Sequence, residues 1–270
     1  MEELQFVKLG GSLITDKRRR YHVHRDILQS LAAAIAEARR ANPALELVIG
    51  HGSVSFGHVA ARESGYSQAA GHPSPLAMAQ VGAAASALNQ AVRTALVEAG
   101  VPAISLPPSA TARLHDDGAV ALEIAPFRAA LARGLVPLTF GDVVMGGERL
   151  GAIASTEALF RVLTEVLRPR QLLLLGTVEG VLAGIPDETH DTPLIPEITP
   201  GRWDAIRTVL GGSHGTDVTG GMLGKVAEML ALVQAVPGVR VRIVDGRDPG
   251  LLTRLLLDPD LTAGTLIHAP

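Results

Sequence analysis

Short apolar runs that read as strands alternate with helical patterns along the whole chain, and no other feature constrains the fold as tightly. "LQFVKLGG" is an apolar run ending on glycines, and "ILQSLAAAIAEARRA" follows with apolar residues at helical spacing. "LELVIGHG" again runs into a glycine loop, ahead of the Ala-rich helix "LAMAQVGAAASALNQAVRTALVEAG", which Gly100 stops. "VPAISLPPS" and "LVPLTFGDVVM" read as strands, with the helical "EIAPFRAALARG" between them. The helix "STEALFRVLTEVLRP" closes at Pro169, and the strand "QLLLLGTV" restarts the pattern. A Pro/Asp/Thr-rich loop through residues 186 to 200 leads to helices in "RWDAIRTVLGG" and "GGMLGKVAEMLALVQAV". The strand "VRVRIVDG", the helix "PGLLTRLLLD" and the strand "AGTLIHA" finish the chain. Such alternation predicts an α/β fold, a mostly parallel sheet with helices on both faces and ligands at the C-terminal ends of its strands. We divide the chain near Pro169, into residues 1–170 and 171–270.

Composition narrows the function. With 24 Lys+Arg against 27 Asp+Glu, the net charge of −3 offers no broad attraction to nucleic acid or an anionic membrane, so any anion site is local. Aromatics at 3% are too few for a base-stacking platform, and the absence of cysteine removes disulfides, thiolate metal sites and thiol nucleophiles. Nothing resembles a secretory leader, and the apolar stretches are broken well before membrane-spanning length, so we expect a soluble, cytoplasmic protein.

Four segments share one design, an apolar strand followed by glycines or small hydroxyl residues and then a helix: "KLGGS" (8–12), "HGSVSFGH" (51–58), "FGDVV" (140–144) and "TDVTGGMLGK" (216–225). Glycine lets backbone N–H groups approach an anion, and a helix start adds partial positive charge. Any one of these alone reads as an ordinary βα turn. The lysines sharpen the case: Lys8 stands inside an apolar strand, where a solvated lysine is out of place, and Lys225 ends a glycine-rich approach at a helix start. Lys17 reads equally as part of a basic surface run with the arginines after it. Neither the P-loop pattern nor the dinucleotide-binding glycine pattern is present.

Taken together, "VKLGGSLITDK", "HGSVSFGH", "LVPLTFGDVV" and "DVTGGMLGK" resemble the amino acid kinase superfamily and, within it, the isopentenyl phosphate kinases. The match runs in order over nearly the whole chain. Its subgroup part rests mainly on His58 and Lys17; sister enzymes acting on carboxylates or carbamate generally lack the histidine, while fosfomycin kinases resemble this subgroup and share it. The resemblance implies a three-layer αβα sandwich with an open, mostly parallel sheet, the first lobe binding the phosphate acceptor and forming a homodimer, the second binding ATP. It implies ATP-dependent phosphorylation of isopentenyl phosphate, or a similar alkyl monophosphate, in isoprenoid biosynthesis. Carried over by position, Lys8, Gly10, Gly11 and Ser12 would hold the transferring phosphoryl group, with Lys17 beside them. Gly52, Ser53 and Val54 would offer backbone N–H groups to acceptor and donor phosphates, and His58 would bond the acceptor phosphate. Ser155 matches an acceptor-contacting position, Thr177 and Leu182 lie where the nucleotide is held, and Gly221 and Lys225 would grip the β and γ phosphates. Mg²⁺ is expected on the ATP phosphates, and no residue is assigned as a direct metal ligand.

These assignments fit the chemistry. A monophosphate is already an anionic nucleophile, so the enzyme needs positive donors to align two repelling phosphates rather than a strong base. His58 suits that task as a hydrogen-bond donor or as an imidazolium, whereas His51 reads as structural, packing or bonding at the strand end. Met78, Val81, Ala85 and Leu88 are candidates for an apolar slot around the acceptor's tail, with plain core or dimer packing as the competing reading.

Three segments depart from the family's pattern. Ser53 and Val54 replace glycines, which would strain Val54 if its φ were positive. The family's S-G-D appears as "ASTE", with Thr156 at the acidic position and Glu157 next to it; Glu157 reads either as its substitute or as a residue of the first helical turn. "GTVEG" (176–180) replaces T-D-V-D-G. Asp142 and Asp217 remain as acidic partners for the lysines or Mg²⁺, with helix capping as the rival role for Asp217. Two other readings stay open, a sister kinase of another small phosphate or phosphonate, and a non-catalytic nucleotide-binding regulator.

Overall fold

The computed structural model describes residues 3–16, 18–66, 74–146, 151–184, 192–211 and 221–270. In chain order the elements are β1 (Leu4–Leu9), α1 (Gly11–Ile14), α2 (Arg25–Ala41), β2 (Glu46–His51), α3 (Val54–Glu63), α4 (Pro75–Glu98), β3 (Ala103–Ser105), α5 (Pro108–Thr111), β4 (Ala112–Leu114) and β5 (Val120–Leu122). Then come α6 (Ala125–Leu131), β6 (Val136–Phe140), β7 (Asp142–Met145), β8 (Gly151–Ala154), α7 (Thr156–Leu167), β9 (Gln171–Gly176), β10 (Glu197–Ile198), α8 (Trp203–Gly211), α9 (Gly221–Ala235), β11 (Arg240–Asp245), α10 (Pro249–Leu257) and β12 (Thr265–His268).

Eight strands form one sheet in the order β10-β12-β11-β9-β1-β2-β6-β3. The pairings from β11 across to β3 are parallel, and β12 runs antiparallel to β11. β1 lies between β2 of the first half and β9 of the second, so the sheet crosses the midpoint of the chain without a break. Side chains alternate across a strand, and β1 shows it: Val7 and Leu9 pack under α2, α4 and α10, while Leu4 and Phe6 pack under α7 and α9. Both faces of the sheet are therefore covered, which makes the predicted three-layer αβα sandwich.

Local chemistry explains the helix ends. Ser74 Oγ caps α4 by accepting the Ala77 N–H at 3.1 Å, with Pro75 in the first turn. α7 stops where Arg168 turns left-handed (φ 51°) ahead of Pro169. Among the described residues no helix is long and apolar enough to cross a membrane.

Two expectations are corrected. "LVPLTFGDVVM" is not one strand: the chain leaves the main sheet after Phe140, and β7 forms an antiparallel hairpin with β8. "FGDVV" thus leads into a strand, not a helix, because the β-branched Val143 and Val144 pack well on a pleated ribbon. The glycine loop after β2 ends at Ser53, and "VSFGH" opens α3; Phe56 and Ala60, one turn apart, are buried, and that packing overrides the poor helix propensity of Gly57.

Candidate active site

Lys8 stands near the C-terminal end of β1, on the face covered by α7 and α9, with Gly50 and Leu174 as its strand neighbours. The bare Gly50 is what lets α7 approach: a Cβ there would lie 2.6 Å from Thr156 Cγ2 and 2.7 Å from the Phe160 ring. Ser155 Oγ caps α7 by accepting the Ala158 N–H at 3.0 Å, and Thr156 Oγ1 donates to the His51 carbonyl at 2.7 Å. The first turn of α7 is thereby tied to the end of β2. From it Glu157 reaches Lys8, and the two form an ion pair with side chains 10% and 15% exposed for lysine and glutamate.

Burial pushes the Glu157 carboxyl up, but the Lys8 ammonium, the hydrogen bond it donates and the Lys225 charge outweigh burial and hold the group below the usual carboxylate range. Lys225, on the second turn of α9, thus belongs to the same charge group. Glu228, three residues further on, has its carboxyl raised, first by burial and then by the nearby Glu157 charge. Lysine, carboxylate and lysine converge at one end of the sheet.

The glycine turns adjoin them. Gly10 donates to the Leu175 carbonyl at 2.9 Å, and a Cβ at Gly10 would strike that oxygen. Gly52 donates to the Leu9 carbonyl at 3.0 Å, and a Cβ on it would stand 3.0 Å from the Gly11 nitrogen. The turns after β1 and β2 therefore lie backbone against backbone beside Lys8, with Gly11 and Ser12 opening α1 and Ser53 preceding α3. N–H groups at a helix start have no intrahelical partner and face outward. Ser53 has φ −117° and Val54 is helical, so the replacement of two glycines brings no left-handed strain.

Not every predicted residue is reached. Thr177 is exposed just beyond β9, at the same sheet end, and Leu182 lies further along, bridged to Leu194. Ser155 is exposed, but its hydroxyl is engaged as a helix cap. Gly221 opens α9. His58 is the fifth residue of α3; its side chain and that of Val54 lie outside the described part, as do Lys17, Asp217 and residues 212–220. Among the described residues the Asp142 carboxylate is engaged away from Lys8 and Lys225: it accepts the N–H groups of Ser109 (3.2 Å) and Val143 (2.8 Å), and burial raises its pKa.

The slot candidates separate. Met78 and Val81 form a small apolar cluster with Ala60, Tyr66, Ala77 and Val143, between α3, α4 and β7. Leu88 belongs instead to the core under the sheet, and Ala85 is buried at 1% exposure.

His51 is structural, as expected. It is fully buried and stacked on Phe140 (5.3 Å between centroids, planes 3° apart), and burial lowers its pKa to about 4. Its partner Asn89 was not singled out by sequence reasoning, although a polar residue one turn from Ala85, on the buried stripe of a helix, is the signal that marks it.

A parallel-sheet end carrying two lysines around a carboxylate, beside two glycine turns, defines an α/β protein built to hold phosphate groups. Residues 3–245 match the model of the amino acid kinase family. The isopentenyl phosphate kinase of Methanothermobacter thermautotrophicus is 34% identical over 263 residues, 94% of this chain and 96% of that one. That of Haloferax volcanii is 35% identical over 258 residues, 93% and 98% of the two chains. An X-ray structure of isopentenyl phosphate kinase is similar over 98% of this chain and 100% of that one, with TM-score 0.78 and 30% identity. The chain belongs to the amino acid kinase family, within its isopentenyl phosphate kinase group.

Proposed function

We propose that this protein transfers the γ-phosphoryl group of ATP to isopentenyl phosphate, giving isopentenyl diphosphate and ADP. An oxygen of the acceptor's phosphate attacks the γ-phosphorus, the bond from that phosphorus to the β–γ bridging oxygen breaks, and ADP leaves. The observation that carries the reading is the Lys8–Glu157 pair, coupled to Lys225 and set beside the turns at Gly10–Gly11 and Gly52–Ser53. Glu157 performs the task for which the family uses its S-G-D aspartate, holding a lysine in place. Lys8 and Lys225 draw the γ-phosphoryl oxygens, Ser12 and the Gly11 N–H cradle them while the bare Gly10, its own N–H held by Leu175, gives them room, and the N–H groups of Ser53 and Val54 orient acceptor and donor. Lys17 and His58 complete the clamp. Mg²⁺, brought on the nucleotide, neutralises charge on the β and γ phosphates when bound.

The first lobe, residues 1–170, takes the acceptor and the dimer contact of a homodimer, and residues 171–270, with Thr177, Leu182 and Gly221, take ATP; the enzyme works in the cytoplasm. The apolar surroundings of Met78 and Val81 favour a hydrocarbon tail over a polar phosphonate. An intact charge group has no use in a regulator.

The test is ADP release with Mg·ATP and isopentenyl phosphate, with fosfomycin in parallel and His58→Ala beside the wild type. Turnover on isopentenyl phosphate that the variant loses is expected. Turnover on fosfomycin alone would move the substrate to the sister class.

A further inference from the structure

Two buried side chains, His51 and Asn89, and the half-buried Ser105 form a polar relay behind the turn at the end of β2. His51 Nδ1 lies 3.3 Å from the Gly52 carbonyl oxygen and Nε2 lies 3.3 Å from Asn89 Oδ1, while Asn89 Nδ2 lies 2.7 Å from Ser105 Oγ. Asn89 is buried on α4 among apolar neighbours, and Ser105 closes β3. Polar atoms this deep cost stability unless each finds a partner.

The pairing rules select one protonation state. A carbonyl oxygen only accepts, so the proton belongs on Nδ1, and in a ring that burial keeps neutral Nε2 is then a bare acceptor. A half-turn of the Asn89 amide places its NH₂ on Nε2 and its oxygen on the Ser105 hydroxyl, and every group is satisfied. The opposite sense would leave the Nδ1 lone pair facing the Gly52 oxygen, acceptor against acceptor.

We propose that His51 is a positioning residue for the acceptor phosphate: held as the Nδ1–H tautomer by Asn89 and Ser105, it grips the Gly52 carbonyl and so aims the Ser53 N–H. The two groups belong to one planar peptide and point in opposite directions, so holding one fixes the other. The carbonyl of His51 itself accepts from Thr156 Oγ1 (2.7 Å) and the Gly141 N–H (3.3 Å), which anchors the turn to the helix that bears Glu157. The role rests on the reading of Ser53 given above.

Nitrogen-15 NMR of histidine-labelled wild type reads the tautomer directly: a protonated Nδ1 on His51 is expected, and a protonated Nε2 with bare Nδ1 would overturn the proposal. Kinetically, His51→Leu and Asn89→Leu are expected to raise KM for isopentenyl phosphate about ten-fold, with kcat and the KM for ATP changed by less than about two-fold. His51→Asn, whose amide nitrogen stands near the place of Nδ1, is expected to restore most of the loss. Unchanged KM in the leucine variants, or equal losses toward both substrates, would refute the positioning role. If the wild type fails to turn over isopentenyl phosphate, the functional reading falls, and the tautomer still decides the relay.

Discussion

Lys8 and Glu157, 149 residues apart in the chain, meet as an ion pair at the C-terminal end of the central strand. The pair does two jobs. It supplies a counter-charge to a lysine that the sheet has taken out of water, and under the proposed function it holds the ammonium for the arriving phosphate oxygens.

Glu157→Gln would remove the carboxylate paired with that buried ammonium and leave, among the described residues, only the more distant Glu228 to face it. We expect a loss of about 3 kcal/mol in stability and about 10²-fold in kcat. Adding Lys8→Met should recover most of the stability and none of the activity, since removing both charges also removes the desolvation cost. Urea midpoints and ADP release on the single and double variants check this; a double variant no more stable than Glu157→Gln would count against the pair.

His51 sets an acid limit on stability. Its pKa falls from 6.5 to about 4 on folding, so the unfolded chain takes up the proton first as pH drops. The contribution is complete above about pH 6.5 and lost on the way down to about pH 4, amounting to about 3 kcal/mol. Denaturation midpoints followed across that window should fall for the wild type and stay nearly flat in this component for His51→Asn.

Gly50→Ala tests how α7 reaches the sheet. The added methyl would overlap Thr156 and Phe160, so destabilisation of about 1–3 kcal/mol is expected. Because the same shift moves Glu157 away from Lys8, kcat should fall further than in a core variant of equal stability. Equal activity at matched stability would show that α7 has slack.

Met78 closes the small cluster between α3, α4 and β7, where its Cε would lie 2.7 Å from a Cβ added at Gly151. Met78→Ala should cost about 2–5 kcal/mol and open space beside the proposed acceptor site. Turnover on geranyl phosphate relative to isopentenyl phosphate should rise in the variant; an unchanged ratio would place the tail elsewhere.

Much of this protein is legible in its sequence. The α/β class, the glycine turns at strand ends and the exceptional lysine in "FVKLGG" follow from periodicity and from the cost of burying a charge, and both are local properties. Helix α3 escaped because Gly57 masks the period, and the β7–β8 hairpin because an apolar run of that length does not reveal where a strand leaves its sheet. The partners were beyond any pattern. Which carboxylate faces Lys8 depends on the registers of β1 with β2 and β9 and on how closely α7 packs over Gly50; which amide faces His51 depends on how α4 crosses the sheet. Periodicity states which face of an element is buried, but only the packed tertiary structure decides what that face meets, because the meeting is set by distances between residues far apart in the chain.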